Sequence, residues 1–446
     1  MFEFNKPLLI ALGAAWLFMF LFQISLRKDG HPVARFFFTI IKVLLAAAVA
    51  FFLVFLDNIV AYRWGYVLMA LYIILMGDAL SDVIALIIRF IPNYKKKKRR
   101  VGDVLLGPET MASSGAPMTA GEGNGEEEAT VGAAGEAGPS FEVEKEASPV
   151  YSRSRRVRKA EMQEEKRSFI KKPLGPIRRG ILSLLFCCLL FAYGTWNGSH
   201  VGVKKHNWQV DGLKSTHTFV FVSDLHTGQG QKKEAIEKMV EKINDAKPEF
   251  VVLGGDITDE FTTYEEMMDI YRVLGKIEAP TYFIYGNHDR QVKSALSGGR
   301  TYEDQQLEKE IKRAGITILQ DQFVKISDDL VILGREDMSS DSRGHWNSLK
   351  NPYEGKGALI VMDHQPFDKN QTDSSNPPFQ ISGHTHAGQL WPLQLVYETV
   401  GLPTYGEKEM SGNILYVSAG AGDWEFAFRT EESCQWDLIT IEPVEP

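Results

Sequence analysis

Long apolar runs dominate the first 200 residues of the chain. Each of four runs is long enough to cross a bilayer as a helix, which takes roughly 20 residues. A soluble fold seldom places three such runs so close together near its start, so the pattern predicts an α-helical membrane region of about four spans. The runs extend over residues 7–26, 36–56, 64–90 and 180–196.

The positions of Lys and Arg predict the orientation of these spans, because cytoplasmic loops carry an excess of both residues. The first loop contains Arg27, Lys28 and Arg35, and the third connection contains basic clusters at 95–100 and 153–179. We therefore place the first and third connections in the cytoplasm. The chain is then expected to be a multi-pass protein of the cell membrane whose C-terminal half is extracytoplasmic.

Three charged residues fall inside the predicted spans. Charged groups in a membrane are candidates for function, and Asp78 and Asp82 lie four residues apart, on one face of a helix. The plainer explanations are an ion pair between Lys42 and an Asp of another helix, or a third span that ends before Asp78.

The third connection has the composition of a linker. Residues 101–150 are rich in Gly, Ala, Ser and Glu and contain almost no aromatic residue, so they cannot bury a core. We predict three transmembrane helices within 1–94 and a disordered, acidic, cytoplasmic linker with basic flanks over 95–179. A fourth transmembrane helix at 180–196 then leads to a globular domain over 200–446.

From about residue 218 onward, short β-branched or aromatic runs end in segments rich in Asp, His, Asn and Gly. The runs are apolar on both faces, as strands of a sheet covered on both sides require. Between the first two runs, 232–247 has apolar residues spaced as on one helical face. Alternating strands and helices predict an α/β core. The five segments are 217–228, 250–259, 281–289, 358–366 and 379–389.

Charge and cysteine content exclude several classes of protein. The chain has 446 residues and a formal net charge of −8. The first 200 residues carry 25 Lys and Arg against 18 Asp and Glu, and the rest carry 24 against 39. An acidic C-terminal half argues against binding of a nucleic-acid duplex, whose phosphates need a basic face. Three cysteines without a Cys-x-x-Cys motif exclude a disulfide framework and a thiolate zinc site.

Carboxylate, amide and imidazole donors follow the predicted strands. Such donors, without thiolate, suit Mn, Fe, Zn or a mixed pair. Seven candidates are too many for one ion and suit two divalent ions, which a shared carboxylate holds about 3.5–4 Å apart. Such a pair provides a bridging hydroxide near neutral pH and clamps the oxygens of a phosphoryl group. The candidates are Asp224, His226, Asp256, Asn287, His364, His384 and His386.

The ordered motifs D-x-H, G-D, G-N-H-D, H and G-H-x-H resemble those of the calcineurin-like metallophosphoesterase superfamily. The resemblance covers about 218–446, and the G-H-T-H-A-G-Q form with the apolar anchor is similar to a membrane-associated branch that includes the bacterial YkuE and YaeI phosphodiesterases. The resemblance implies a four-layer α/β/β/α sandwich with a dinuclear site at one edge. It implies a first ion on Asp224, His226 and His386, a second on Asn287, His364 and His384, and Asp256 as the bridge.

The resemblance also implies a catalytic role for His288, which matches a family histidine that faces the substrate phosphate. A protonated imidazole there would stabilise developing charge or protonate the leaving oxygen. Asp289 is a weaker candidate to orient this histidine. Arg429 is a candidate substrate-binding residue that would contact phosphate, although a surface salt bridge explains it equally well. Asp363 is an unexpected acidic neighbour of His364.

Two segments near these motifs allow more than one interpretation. Residues 290–306 have two glycines and few apolar residues, and they form either part of the substrate mouth or a plain surface loop. Residues 390–412 bring large apolar and aromatic residues close together, which form either core or an apolar lip that touches a lipid chain. They are Trp391, Leu393, Leu395, Val396, Tyr397 and Leu402.

Together these features predict a membrane-anchored, dinuclear-metal phosphoesterase. Anchoring favours phosphodiesters of lipid or envelope substrates, so the expected partners are the bilayer and a phosphate ester that can be lipid-linked. One alternative is a pyrophosphatase acting on a UDP-linked acylated sugar lipid. Another is a non-catalytic, metal-binding membrane scaffold or sensor. The oligomeric state stays open.

Overall fold

The computed structural model describes residues 32–55, 58–90, 176–227, 231–290, 300–355, 357–366, 379–410, 413–424 and 426–444. The first predicted span, most of the predicted linker and the central part of the 290–306 segment lie outside these residues. The chain forms two compact units, one of residues 1–82 and 176–446 and the other of residues 83–175. The globular domain and the helical segments that contact it belong to the first unit.

Three long helices precede the globular domain in the described part of the chain. Among the residues whose side chains the structure describes, two of the helices contain stretches that are long and apolar enough to cross a membrane, Val67–Ile87 and Gly180–Ser199, and the other contains the apolar stretch Phe37–Ala50. This supports association with a membrane, while the number of four spans stays a prediction. The helices are α1 (Pro32–Phe55), α2 (Asn58–Phe90) and α3 (Pro176–Ser199).

Lys42 of α1 forms ion pairs with two carboxylates of α2. Its Nζ lies 2.5 Å from Oδ2 of Asp78 and 2.6 Å from Oδ2 of Asp82, and all three side chains are largely buried. The structure therefore supports the interpretation of these charges as an interhelical ion pair. The apolar stretch of α2 continues past Asp78, while the position at which the span ends stays a prediction.

The globular domain combines strands with shorter helices. The predicted helix at 232–247 is confirmed as α4, whose buried face includes Ile236, Met239, Val240 and Ile243. The helices are α4 (Lys233–Ala246), α5 (Tyr264–Leu274), α6 (Asn287–Arg290), α7 (Asp304–Arg313) and α8 (Leu393–Thr399). The strands are β1 (Gly202–Val210), β2 (His217–Val222), β3 (Val251–Leu253), β4 (Thr281–Phe283), β5 (Thr317–Ile318), β6 (Gln322–Lys325), β7 (Leu330–Gly334), β8 (Ala358–Met362), β9 (Phe379–Ser382), β10 (Gly406–Met410), β11 (Asn413–Val417) and β12 (Gln435–Pro443).

The strands form two six-stranded mixed sheets, and these sheets confirm the predicted α/β class. In the first sheet, with the order β1-β12-β2-β3-β4-β5, strands β2 to β5 are parallel and β12 is antiparallel to β2. In the second, with the order β10-β11-β9-β8-β7-β6, strands β7, β8, β9 and β11 are parallel. Parallel central strands place several carboxyl ends at one edge of each sheet.

The two faces of the first sheet pack against different layers, because successive side chains of a strand point to opposite faces. In β2, Val220 and Val222 pack in a core with residues of α4, α5 and α7. Phe219 and Phe221 pack in a second core with residues of β7, β8 and β9 from the other sheet. Helices, first sheet and second sheet are thus three layers of the predicted four-layer sandwich. The fourth layer stays a prediction.

A third apolar cluster joins the globular domain to the long helices. Tyr72 of α2 and Cys187 of α3 lie in it together with Leu390, Leu393 and Phe428 of the domain. The domain is therefore packed directly on the ends of the apolar helices and is not separated from them by a spacer.

Candidate metal centre

All seven predicted ligands lie beyond the carboxyl ends of strands, where the two sheets meet. This is the usual place for ligand sites in parallel α/β sheets. They follow β2 (Asp224, His226), β3 (Asp256), β4 (Asn287), β8 (His364) and β9 (His384, His386).

Five of these residues adopt a left-handed backbone conformation, which residues other than glycine seldom do. Such strain persists only where the surrounding structure enforces it, and it is concentrated at functional sites. Main-chain bonds between neighbouring loops help to enforce it here: the amide of Asp224 donates to Gly255, and that of His226 donates to Asp256. The φ angles are 57° (Asp224), 44° (His226), 51° (Asp256), 73° (His384) and 50° (His386).

Asp224, His226 and His386 form a first donor group. One donor atom from each lies within 4.8 Å of the others, and all three residues are buried. Nε2 of His226 is 3.2 Å from Nε2 of His386, which is 3.7 Å from Oδ1 of Asp224. These are the three residues predicted to hold one ion.

Asp256, His364 and His384 form a second donor group of the same size. Oδ2 of Asp256 lies 2.9 Å from Nε2 of His364 and also 3.9 Å from Nε2 of His226 in the first group. The Asp256 carboxylate thus lies between the two groups, as a bridging ligand must. Asn287 begins the short helix α6, and its Oδ1 accepts a 3.4 Å hydrogen bond from Gln365.

The hydrogen bonds of the histidines fit a role as metal ligands. Nδ1 of His386 lies 3.1 Å from the carbonyl oxygen of Gly422, and Nδ1 of His364 lies 2.9 Å from that of Gly254. Because a carbonyl oxygen only accepts, each Nδ1 carries a hydrogen and each ring turns its Nε2 toward the centre. Metal-ligating histidines are commonly oriented in this way.

The charges at the centre also fit bound cations. Burial, followed by Arg429, lowers the pKa of His386 to about 3, so its ring is neutral at neutral pH. Burial raises the pKa of Asp224 above its ordinary value. A buried carboxylate beside the neutral ring of His386 is costly without enough compensating positive charge. Divalent ions would supply that charge, so the residues present fit a metal centre.

His288 lies beside the metal ligands, and its Nδ1 is 2.7 Å from Oε2 of Glu260. Its amide donates to Oδ1 of Asp256. Burial alone would lower the pKa of His288, but the negative charges of Asp256 and Glu260 outweigh burial and raise the pKa to about 9. At neutral pH the ring is therefore protonated, with Nδ1 engaged by Glu260 and Nε2 left to donate a proton.

The proposal that Asp289 orients His288 is wrong. The carboxylate of Asp289 accepts hydrogen bonds from the amides of Asp256, Thr258 and Gly286, so it braces the loops that follow β3 and β4. Glu260 holds the imidazole instead. The sequence carries no signal for this role, because Glu260 lies in a loop without periodicity, next to another acidic residue.

Arg429 is fully buried, so its interpretation as a surface salt bridge is wrong. Its Nε lies 2.6 Å from Oδ1 of Asp423, and its other two nitrogens contact main-chain carbonyl oxygens, with Nη2 also 3.4 Å from Nδ1 of His386. The guanidinium is thus enclosed by protein groups behind His386. This placement gives no support to a contact with substrate.

Two further residues, Asp363 and Gly255, lie close to the ligand His364. Asp363 lies 2.6 Å from Nη2 of Arg343, so it is engaged away from the donor groups that include its neighbour His364. Gly255 has a φ of +92°, and a Cβ at this position would lie 2.6 Å from Nδ1 of His364. A side chain at Gly255 would therefore displace a candidate ligand.

Residues 217–388 match the sequence model of the family described as Calcineurin-like phosphoesterase. The chain contains a calcineurin-like metallophosphoesterase domain. The predicted superfamily is therefore confirmed. The matched residues of the metallophosphoesterase domain include all seven predicted ligands and His288, but not Arg429.

Relatives of the metallophosphoesterase domain occur in bacteria and in Danio rerio. A Danio rerio protein named transmembrane protein with metallophosphoesterase domain is 25% identical over 280 residues, which is 57% of this chain and 61% of the relative. YkuE of Bacillus subtilis, named an uncharacterized metallophosphoesterase, is 27% identical over 225 residues, which is 48% of this chain and 73% of YkuE. The phosphodiesterase YaeI of Escherichia coli is 26% identical over 219 residues, 46% of this chain and 74% of YaeI. The predicted similarity to YkuE and YaeI is confirmed.

Proposed function

We propose that the protein is a membrane-anchored, dinuclear-metal phosphoesterase that acts on phosphodiesters of lipid or envelope substrates. The observation that carries this proposal is the Asp256 carboxylate, which lies between two buried donor groups and beside the protonated His288. The family of the domain supports a phosphoesterase, and the name of the relative YaeI supports a diester substrate.

Each residue of the centre has a distinct part in the proposed reaction. Asp224, His226 and His386 would hold one divalent ion, Asn287, His364 and His384 would hold the other, and Asp256 would be shared. Two such ions, Mn, Fe, Zn or a mixed pair, would supply activated water and neutralise the phosphoryl oxygens. His288 would donate the proton on Nε2 to the leaving oxygen. Glu260 would keep that ring charged and correctly oriented.

The location at the membrane rests on other observations. Two helices have the length and composition of membrane spans, and the Danio rerio relative is named a transmembrane protein. The Lys and Arg distribution favours a multi-pass protein of the cell membrane with the metallophosphoesterase domain outside the cytoplasm. Protease added to intact cells would then cleave a tag placed after residue 446 and spare one inserted in the 101–150 linker. The reverse pattern would overturn this orientation.

The decisive assay combines metal analysis with hydrolysis by the purified full chain. The panel contains phospholipids, a UDP-linked acylated sugar lipid and a soluble aryl phosphodiester. We expect two divalent ions per chain and hydrolysis of a diester, and we expect His288→Ala to keep both ions and lose about 100-fold or more in turnover. Release of UMP alone would favour a pyrophosphatase. A metal-loaded wild type that cleaves no ester would favour the non-catalytic scaffold.

A further inference from the structure

Large apolar side chains are exposed on the metallophosphoesterase domain around helix α8. We call them the α8 surface, and their exposed fractions are 38% (Trp391), 56% (Leu395), 36% (Val396), 66% (Val400) and 38% (Leu402). The opposite side of the same helix is apolar too: Leu393 and Tyr397 are buried against the long helices. Apolar surfaces of this kind on a folded protein mark sites of interaction.

Two contacts show that this part of the domain lies against the apolar helices. The hydroxyl of Tyr72, which lies within the apolar run 64–90 of α2, donates to the carbonyl oxygen of Trp391 at 2.7 Å. The ring of Phe428 fills the space beside Gly194, which lies within the apolar run 180–196 of α3. Both contacts are therefore made by helix residues that the sequence predicts to lie in the membrane.

The two contacts involve different helices and different segments of the domain, and both lie within apolar runs. Interfacial apolar surfaces enter a membrane to a depth of roughly 5–10 Å. The exposed side chains near the end of α3 include Tyr193 and Trp196, and aromatic residues of this kind concentrate at membrane interfaces. The apolar exterior of the helix bundle thus continues onto the α8 surface.

The charges around α8 are compatible with a position at the edge of a membrane. Helix α8 contains one carboxylic acid, Glu398, and Nζ of Lys408 lies 3.4 Å from its Oε1. A paired charge at the edge of a membrane costs less than an isolated charge in the hydrocarbon.

The α8 surface also adjoins the candidate metal centre. Gln389 follows His386 by three residues and precedes Trp391 by two, and its side-chain amide donates to the carbonyl oxygen of Trp424 at 3.0 Å. The partly exposed ring of Trp424 lies 6.2 Å from the ring of His288, between centroids. A series of contacts through Trp424 and Gln389 therefore leads from the catalytic histidine to the apolar surface.

We propose that the α8 surface is inserted in the leaflet that surrounds α2 and α3, so that the metal centre opens at the level of the lipid headgroups. The occupant of this surface is the lipid bilayer itself. A substrate with an acyl chain can then keep the chain in the leaflet while its phosphate reaches His288. This last statement rests on the proposed function, whereas the insertion does not.

The insertion is tested with the full chain in lipid nanodiscs. A cysteine introduced as Leu395→Cys or Val400→Cys, with Cys188→Ser to remove the exposed native thiol, carries an environment-sensitive NBD fluorophore. Doxyl groups on lipid chains report contact with the leaflet, and iodide reports contact with water. Leu185→Cys on the exposed face of α3 is the lipid reference. Asp328→Cys, whose native side chain is 98% exposed, is the water reference.

We expect both α8 labels to lose as much emission to doxyl lipids as the Leu185 label, and as little to iodide. Quenching by iodide at the level of the Asp328 label would overturn the insertion. Labels shielded from both quenchers would overturn it as well, because they would show that protein, either the N-terminal apolar run or a second copy of the chain, covers the surface.

A second measurement separates the insertion from the proposed function. Leu395→Glu should lower kcat/KM for a lipid phosphodiester by about tenfold or more, the effect of about 1.4 kcal/mol, and leave a soluble aryl phosphodiester unaffected. Val444→Glu, at an exposed apolar residue beyond the distal end of β12, should change neither. Equal loss on both substrates, or no loss on the lipid, would contradict access from the leaflet. Wild type that cleaves neither ester would overturn the proposed function and leave the quenching result intact.

Discussion

Glu260 holds His288: Oε2 of this fully buried carboxylate lies 2.7 Å from Nδ1 of the imidazole. The pair couples two properties that a proton donor needs. The hydrogen bond fixes the orientation of the ring, and the negative charge, together with that of Asp256, raises the pKa of His288 to about 9 against the effect of burial. Removing the charge while keeping the shape of the side chain therefore tests the assigned role directly.

Glu260→Gln should lower kcat by about 10- to 100-fold, a typical loss for a residue that acts through another, and should leave bound metal unchanged. Because the neutral amide no longer raises the pKa of His288, the alkaline limb of the pH–rate profile should move to lower pH. The measurement is kcat across pH 5–10, with metal content determined on the same samples.

The matched control for this change is Glu265→Gln, an exposed acid at the start of α5. It should alter neither kcat nor the profile. A Glu260→Gln enzyme with a reduced kcat and an unmoved alkaline limb would show a purely structural role for Glu260.

The sequence predicted the parts of the site that local patterns encode. Each ligand follows a short apolar run, so the motifs and their order indicated the strand ends at which the donors lie, and the family resemblance implied how they group. The helix α4 was likewise predicted from its apolar spacing. Glu260 was not predicted, because its partner His288 lies in another loop and the spacing of residues along the sequence does not indicate contacts between loops.

The surroundings of Arg429 and of residues 390–412 also could not be predicted from local sequence patterns. A charged residue near the C-terminus is expected at the surface, and only the fold reveals that Asp423 and three main-chain carbonyl oxygens enclose it. For 390–412, core and apolar lip were predicted as alternatives. The structure has both buried and exposed apolar residues there, since Leu393 is buried and Leu395 is exposed on the same short helix, and contact of the exposed residues with lipid stays a proposal.

Arg429→Met should destabilise the fold by about 3–5 kcal/mol, because it leaves the buried Asp423 carboxylate without its partner. Thermal unfolding in detergent measures the loss. At saturating metal, the folded fraction should keep its KM, since the guanidinium faces protein groups. Arg313→Met, at an exposed side chain, is the control and should melt as wild type does. Normal stability with a raised KM would instead assign Arg429 to substrate binding.

His217 lies at the start of β2, away from the metal centre, and should make the free energy of unfolding depend on pH. Its Nδ1 lies 2.7 Å from Glu249 and its Nε2 lies 3.1 Å from Asp329. Burial, the largest influence, lowers the pKa of His217, but the two carboxylates outweigh it and the pKa is raised. A raised histidine pKa contributes stability that is complete below the unfolded value of about 6.5 and is lost as pH rises through the folded value.

His217→Gln should therefore cost more stability at pH 5.5 than at pH 9, with a difference of about 1–3 kcal/mol expected for charge-assisted hydrogen bonds. The melting temperatures of wild type and variant at the two pH values provide the test. His345→Gln, at an exposed histidine, should show no such difference. A cost that is the same at both pH values would mean that His217 is neutral in the folded protein.

Asp256 should control the number of ions that the protein holds, because its carboxylate is shared between the two donor groups. Asp256→Asn keeps the size of the side chain and removes the charge, so we expect at least one of two ions to be lost, with a fall of about 100-fold or more in turnover. Metal per chain, measured after dialysis, gives the first result, and Asp245→Asn, at an exposed carboxylate of α4, is the control. An Asp256→Asn protein that retains two ions per chain would rule out the bridging role, and the two donor groups would then have to bind their ions independently.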